Sequence, residues 1–154
     1  LGSTVGSRFV ISVSRTALAT LYARSGDLGS ALDAFRDSLH DYVRHGNNTH
    51  AVTALRSLVG VLAQLHDDEE ATLIAGAVSS EQLRVSYGSE AEQFSAVLEL
   101  VQRRRGPTRS AASFLAGQRL DLDRAVRHAA DLVEGHLAIL SQSSRKPPAG
   151  AAGR

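Results

Sequence analysis

Histidine side chains are the residues of this 154-residue chain that could bind a metal ion. His40, His45 and His50 recur every five residues, whereas ligands on one face of a helix need a spacing of three or four. His128 and His136 are eight residues apart and can share a face, but no second pair accompanies them. We therefore predict no metal site and assign these histidines to surface or partly buried positions.

A second candidate for chemistry is His66, which is followed by four acidic residues at positions 67–70. Histidine beside carboxylates can support acid–base catalysis, but acids also suit the positive end of a helix dipole, and we interpret the run as a helix start. The sequence lacks the G-x-S-x-G turn of serine hydrolases, the G-x-x-x-x-G-K-[ST] loop that binds nucleotide phosphates, and any cysteine. We predict no catalytic residue, no cofactor and no enzymatic activity.

Arginines form one basic cluster, at positions 103–105 together with Arg109. The cluster could contact phosphates, but cations followed by Gly106 and Pro107 are also typical of a helix C-terminus. We favour the helix end because the net charge is only +1 and no aromatic residues alternate with the arginines. Nucleic-acid binding is therefore not expected of these residues.

A series of helices must position all these side chains. Apolar residues recur at helical spacing, and no segment alternates with period two, so we predict an all-α fold without strands. The predicted helices cover residues 7–25, 27–45, 49–65 and 68–87, a helix from a Ser89 capping box to Arg105, a short helix after Thr108, and a last helix from Asp121. Residues 1–140 form the predicted domain, and residues 141–154, rich in Pro, Gly and Ser, are expected to be disordered.

The buried face of each helix is predicted from its apolar stripe. For the first helix the inner residues are Val13, Ala17, Leu18, Leu21 and Tyr22. For the second they are Leu28, Ala31, Leu32, Phe35, Leu39, Tyr42 and Val43. For the short sixth helix they are Ala111, Ala112, Phe114 and Leu115. In the fourth helix, the small residues at positions 75–77 are expected to let a neighbouring helix approach closely.

The sequence contains an internal repeat. When Ala31 is aligned with Ala71, forty residues later, Leu18 aligns with Leu58 and Phe35 with Ala75. Each unit is a predicted pair of antiparallel helices, and neither unit can bury its apolar face unless the units stack.

The first unit resembles a tetratricopeptide repeat. The matching positions are Leu18, Ala19, Tyr22, Gly26, Asp27, Ala31 and Phe35. In the second unit, Ala75 replaces the aromatic residue and His66 replaces the glycine. The resemblance implies antiparallel helical hairpins stacked as a short solenoid of about seven helices.

The later segments are similar to the C-terminal helical region of large actinobacterial signalling ATPases. These are LuxR-type transcriptional regulators and related proteins, in which a nucleotide cyclase or DNA-binding domain is joined to an ATPase and a repeat array. The similarity covers residues 16–140 and includes the stretch 114–122 leading into Ala125 and Val126. It implies a region that senses or holds partners while other domains do the chemistry. Because the chain contains no methionine, we expect it to be a piece of such a longer protein.

Together these features predict a cytoplasmic, non-catalytic module for protein interaction or intramolecular regulation. The alternative is a small-ligand sensor with a pocket between helices. No apolar run reaches the roughly 18 residues that would span a membrane. The polar residues predicted to line the concave surface and to bind the partner are Arg15, Arg24, Thr53, Arg56 and Gln64, together with Thr20. Since the charged ones are all arginine, we expect the protein or peptide partner to be acidic.

Overall fold

Seven α-helices occupy the part of the chain that the computed structural model describes, which is residues 3–46, 48–79 and 89–145. They are α1 (Ser3–Arg24), α2 (Leu28–His45), α3 (Asn48–Gln64), α4 (Asp68–Ala77), α5 (Ser89–Arg105), α6 (Pro107–Gln118) and α7 (Leu122–Arg145). No described residue lies in a β-strand, so the all-α prediction is confirmed. None of these helices is long and apolar enough to cross a membrane.

The ends of α2 lie where the sequence predicts them. Asp27 caps the N-terminus: its carboxylate accepts the backbone N–H of Ser30 at 3.1 Å and the Ser30 hydroxyl at 2.7 Å. At the other end, Gly46 is left-handed (φ 66°), and its N–H donates to the carbonyl of Tyr42 at 2.9 Å. Both caps satisfy backbone groups that the helix leaves without partners.

The Asp27 cap should make the stability of α2 depend on pH. Hydrogen bonds from the hydroxyl and then the backbone N–H of Ser30 lower the pKa of Asp27 below its usual 3.8. A carboxyl whose pKa is lower in the folded state adds stability that is present above the unfolded pKa and is lost as pH falls through the folded pKa. In Asp27→Asn the cap persists without a titrating group. We expect the native chain to have the higher free energy of unfolding in urea near neutral pH, and this difference from the variant to disappear below about pH 4. A difference that stays constant with pH would contradict the prediction.

The turn inside each helical hairpin recurs at intervals of forty residues. Gly26 (φ 83°) and His66 (φ 59°) are both left-handed. Each donates its N–H to the carbonyl three residues earlier at 3.1 Å, and the aspartate that follows donates to the carbonyl five residues earlier. Gly106, forty residues after His66, also has a positive φ (90°), but its N–H donates to the carbonyl of Gln102, four residues earlier. The aligned turns of the first two units therefore have the same geometry, and the predicted stop at Gly106 has a different one.

Helices that are consecutive in the chain pack as pairs, α1 with α2, α3 with α4, and α5 with α6. Helix α3 also contacts α1, α2 and α5, and α4 packs closely on α6. Helix α7 does not continue this order, because it turns back and packs mainly on α2. A stacked solenoid therefore stays a prediction for the chain as a whole.

The predicted inner face of α1 is wrong. The buried residues of α1 are Thr16, Ala19 and Ala23, whereas Leu18 is 47% exposed and Leu21 is 58% exposed. The other residues predicted to be inside, Val13, Ala17 and Tyr22, are exposed as well. The reason is that α1 packs mainly on α2 and α3 among the described helices, and it does so through its small side chains, which leaves its large ones uncovered.

The predicted inner face of α6 is also largely wrong. Its buried residues are Ser110, Ser113 and Gly117, while Ala111, Ala112 and Leu115 are exposed and Phe114 is half-buried. The cause is a close crossing with α4. A Cβ on Gly76 would overlap the backbone of Phe114, and a Cβ on Gly117 would overlap the backbone of Leu73. The prediction that the small residues of α4 admit a close neighbour is confirmed.

The ends of two helices differ from the predicted positions. Helix α4 ends at Ala77, where the Ser79 hydroxyl donates to the Gly76 carbonyl at 2.7 Å. Val78 and Ser79 of the predicted helix are not helical, and its remaining part, residues 80–87, lies outside the described residues, as do Gly88 and the side chain of Ser89. Helix α7 runs to Arg145, past the predicted domain boundary at 140, and the hydroxyls of Ser143 and Ser144 donate to carbonyls one turn earlier. Residues 146–154 of the predicted disordered tail lie outside the described residues.

Candidate functional site

A groove of about 250 Å³ opens on the side of the molecule formed by α1, α3 and α5. Helix α3 supplies its central wall, because α3 contacts both α1 and α5. The α3 residues in the groove recur at spacings of three and four and so form one face of the helix. They are Thr53, Arg56, Ser57, Gly60, Val61 and Gln64. We call this surface the α1–α3–α5 groove.

The base of the groove is apolar and leaves room for a side chain. Ala23 and Val61 are buried there, and Phe94 and Val97 of α5 are half-buried. Gly60 adds space, because a Cβ built on it would meet no atom within 4 Å. The groove can therefore accept an apolar group beneath polar edges.

The edges of the groove are polar and cationic. Arg24 at the end of α1 donates through Nη2 to Oε1 of Gln93 on α5 at 3.4 Å, so its guanidinium reaches across the groove. Arg56 contributes a second cation from α3, and none of these described lining residues is acidic. Two guanidinium groups with neighbouring Thr and Gln side chains make a surface suited to carboxylates.

The structure brings together four of the five residues predicted to bind a partner. Arg24, Thr53, Arg56 and Gln64 all line the α1–α3–α5 groove, as does Thr20. Arg15 does not, because it pairs with Asp41 of α2 at 2.8 Å. The reason is helical geometry: positions 15 and 24 are nine residues apart, which places them about 180° apart around α1.

The α5 side of the groove was missed by sequence reasoning. Gln93, Phe94 and Val97 line it, and no motif marks them. The forty-residue repeat was the available signal, because it aligns Gln93 with Thr53 and Val97 with Ser57. Both aligned α3 residues line the groove as well, so the forty-residue spacing also holds between α3 and α5.

The acidic run before and within the first turn of α4 holds neighbouring helices. Asp67 lies 2.7 Å from His136, and Glu70 lies 2.6 Å from His128, both on α7. Asp68 pairs with Arg104 of α5 at 2.6 Å, and Glu69 with Arg105 at 3.4 Å. Each of the four acids therefore has a partner on α5 or α7. The run joins three helices, in addition to placing negative charge at the start of α4.

Arg104 of the basic cluster and two of the remaining histidines are engaged in similar contacts. Arg104 also donates to Nδ1 of His66 at 3.0 Å and to the Ala63 carbonyl at 2.9 Å. His66 thus faces a guanidinium and not a carboxylate. His40 lies 3.4 Å from Glu134. Among the residues that the structure describes, no three His, Asp or Glu side chains converge as they would to hold a metal ion.

Comparisons with known proteins assign no family to this chain, because no family model, curated protein or solved structure matches it. The resemblances to the tetratricopeptide repeat and to LuxR-type regulators therefore stay predictions. The functional argument depends on the geometry and charge of the α1–α3–α5 groove.

Proposed function

We propose that this chain is a non-catalytic interaction module whose α1–α3–α5 groove binds an extended acidic segment of a protein partner. The observation that carries the proposal is the convergence of Arg24, Thr53, Arg56 and Gln64 on one groove. Guanidinium groups bind carboxylates with two parallel hydrogen bonds, which gives them both affinity and geometric preference.

The dimensions of the groove favour an extended peptide. Three adjacent helices at interaxial distances of about 9 Å span about 18 Å, which an extended chain of five or six residues covers at about 3.4 Å per residue. The apolar base beside Gly60 suits one apolar side chain of the peptide between its acidic residues. The segment can belong to a separate protein or to another domain of a longer polypeptide, as the resemblance to signalling ATPases implies.

A small-ligand sensor is the second candidate, and the apolar base of the groove favours it. The volume of about 250 Å³ lies just below the range of about 300–1,000 Å³ that is usual for small-molecule pockets, which is why we rank the peptide first. A thermal-shift screen with small carboxylates distinguishes the two. A small molecule that raises the melting temperature while no acidic peptide binds would favour the sensor.

Reversing both groove arginines tests the proposal. Fluorescein-labelled heptapeptides composed of Asp, Glu, Leu and Ala serve as probes, with Asn and Gln versions of the same peptides for comparison. We expect Arg24→Glu with Arg56→Glu to weaken binding of the acidic peptides at least tenfold, about 1.4 kcal/mol, in fluorescence polarisation. The melting temperature should stay within about 2 °C, because the substitutions leave the apolar core intact.

Two further variants separate the groove from general charge effects. Arg103→Glu with Arg109→Glu makes the same change in net charge at exposed positions outside the groove, so an equal loss of binding there would contradict the proposal. Gly60→Leu puts a side chain into the groove from a position where the added Cβ would meet no atom within 4 Å. Because leucine favours a helix more than glycine does, this variant should fold at least as stably and yet bind the peptides poorly.

A further inference from the structure

Helix α1 carries an apolar stripe that no part of the described chain covers. Its members are Val10 (59% exposed), Ile11 (46%), Leu18 (47%), Leu21 (58%) and Tyr22 (39%). At 100° per residue they fall within an arc of about 120° on one side of the helix. We call these five residues the α1 stripe. It is distinct from the face of α1 that contributes Ala23 and Arg24 to the groove.

The forty-residue alignment of α1 with α3 shows which residues of α3 correspond to the α1 stripe. Forty residues after Ile11, Leu18, Leu21 and Tyr22 stand Ala51, Leu58, Val61 and Leu62 of α3. All four of these α3 residues are at most 2% exposed. Side chains that are buried in the second hairpin are therefore open to solvent at the equivalent positions of the first.

The contacts of the two helices explain the difference. Both pack on the second helix of their own hairpin and on the first helix of the next hairpin. Helix α3 also packs on α1 and α2, the preceding hairpin, and α1 has no described equivalent of that pair. A repeat at the end of a stack normally has a polar outer face, and an apolar one is what an interior repeat buries.

We infer that the α1 stripe docks a further helical hairpin of the same repeat type, whose second helix lies on α1 as α2 lies on α3. The docked helix should therefore be amphipathic, with Ala, Leu and Phe at the spacing found in α2.

A second copy of this chain does not fit the stripe in the same way. A second copy would have to place the apolar stripe of its α2 on the α1 stripe. That face of α2 is already buried within its own fold, with Ala31, Leu32, Phe35 and Leu39 all 0% exposed. Pairing of α1 with α1 would bring together two helices whose charged residues are all arginine. The partner is therefore a hairpin with a free α2-like face and not a second copy of the folded chain.

A tandem duplication of residues 7–46 tests the inference with the full chain present. Joining Gly46 directly to a second Ser7 preserves the forty-residue spacing and places the first copy of α2 over the α1 stripe of the second copy. We expect a single thermal transition with a melting temperature at least about 5 °C above that of the native chain. Two separate transitions, an unchanged melting temperature or aggregation of the tandem chain would overturn the inference.

A charge introduced into the stripe provides the matched control. Leu18→Glu with Leu21→Glu in the second copy should abolish the gain in melting temperature. The same pair in the native chain should leave its melting temperature within about 2 °C, because both side chains are exposed. Sedimentation velocity should find the native chain monomeric at about 50 µM; a dimer that this double substitution disrupts would assign the stripe to a second copy and overturn the inference.

Discussion

Gly117→Ala is expected to lower the free energy of unfolding by about 3 kcal/mol or more, the upper end of the usual penalty for overpacking. The new Cβ would overlap the carbonyl of Leu73, and the reciprocal change at Gly76 would overlap the carbonyl of Phe114. Both obstacles are helix backbone and not the ends of flexible side chains, so α4 and α6 would have to separate. Urea unfolding followed by circular dichroism measures the loss.

The control for Gly117 is another helical glycine. Gly135 of α7 is exposed, and a Cβ there would meet no atom within 4 Å. Gly135→Ala should therefore raise the unfolding free energy by up to about 1 kcal/mol through helix propensity alone. Equal effects at positions 117 and 135 would show that α4 and α6 do not cross as closely as described.

Phe35→Ala is expected to lower the free energy of unfolding by about 3–5 kcal/mol. Phe35 is 0% exposed and is the largest fully buried side chain among the described residues. Its helix, α2, packs against α1, α3 and α7. Helices on three sides cannot all move to fill the space, so the variant should retain a cavity. Chemical denaturation measures the loss. If the slope of the unfolding free energy against denaturant concentration is unchanged, the loss is one of folded-state stability.

Arg36→Ala is the matched control for Phe35, one residue along the same helix. Its guanidinium lies 3.2 Å from Asp33 and 3.5 Å from Asp37, and these pairs are exposed to solvent. Exposed ion pairs contribute little, so the change should stay within about 0.5 kcal/mol. A loss at Arg36 as large as that at Phe35 would mean that the buried face of α2 has been misassigned.

The stability predictions and the groove are connected through α3. That helix supplies six of the described lining residues of the groove and also buries Leu55, Leu58 and Leu62. Variants that loosen α2 against α3 should therefore weaken peptide binding as well as stability. Gly60→Leu is the informative exception, because we expect it to separate the two properties.

Local signals predicted much of the helical framework. The Asp27 cap, the glycines at 26 and 46, and the Gly106-Pro107 stop all lie at helix ends in the structure. They act within a few residues of the backbone, so they depend little on the rest of the fold. The predicted apolar stripe of α2 is likewise the face that the structure buries, including Ala31, Leu32, Phe35, Leu39 and Tyr42.

The assignment of buried faces failed where helices approach closely. Ala19 and Ala23 in α1, and Ser113 and Gly117 in α6, are buried because small side chains let two backbones come near. A reading based on hydrophobicity gives priority to Leu18 and Leu115, both of which are exposed. Whether the small or the large side chains of a helix are buried depends on how closely the neighbouring helix approaches. The local sequence does not contain that information.

The sequence by itself therefore determined the helical class, the main turns, the forty-residue spacing of the first two units and five of the groove residues. Tertiary structure alone decided that α5 completes the groove, that Arg15 faces away from it, and that the four acids of residues 67–70 join α5 and α7 to α4. The physical reason is the range of the interactions. Caps and helical periodicity act over a few residues of chain, whereas contacts such as Asp67 with His136 and Arg24 with Gln93 join residues that are 69 positions apart.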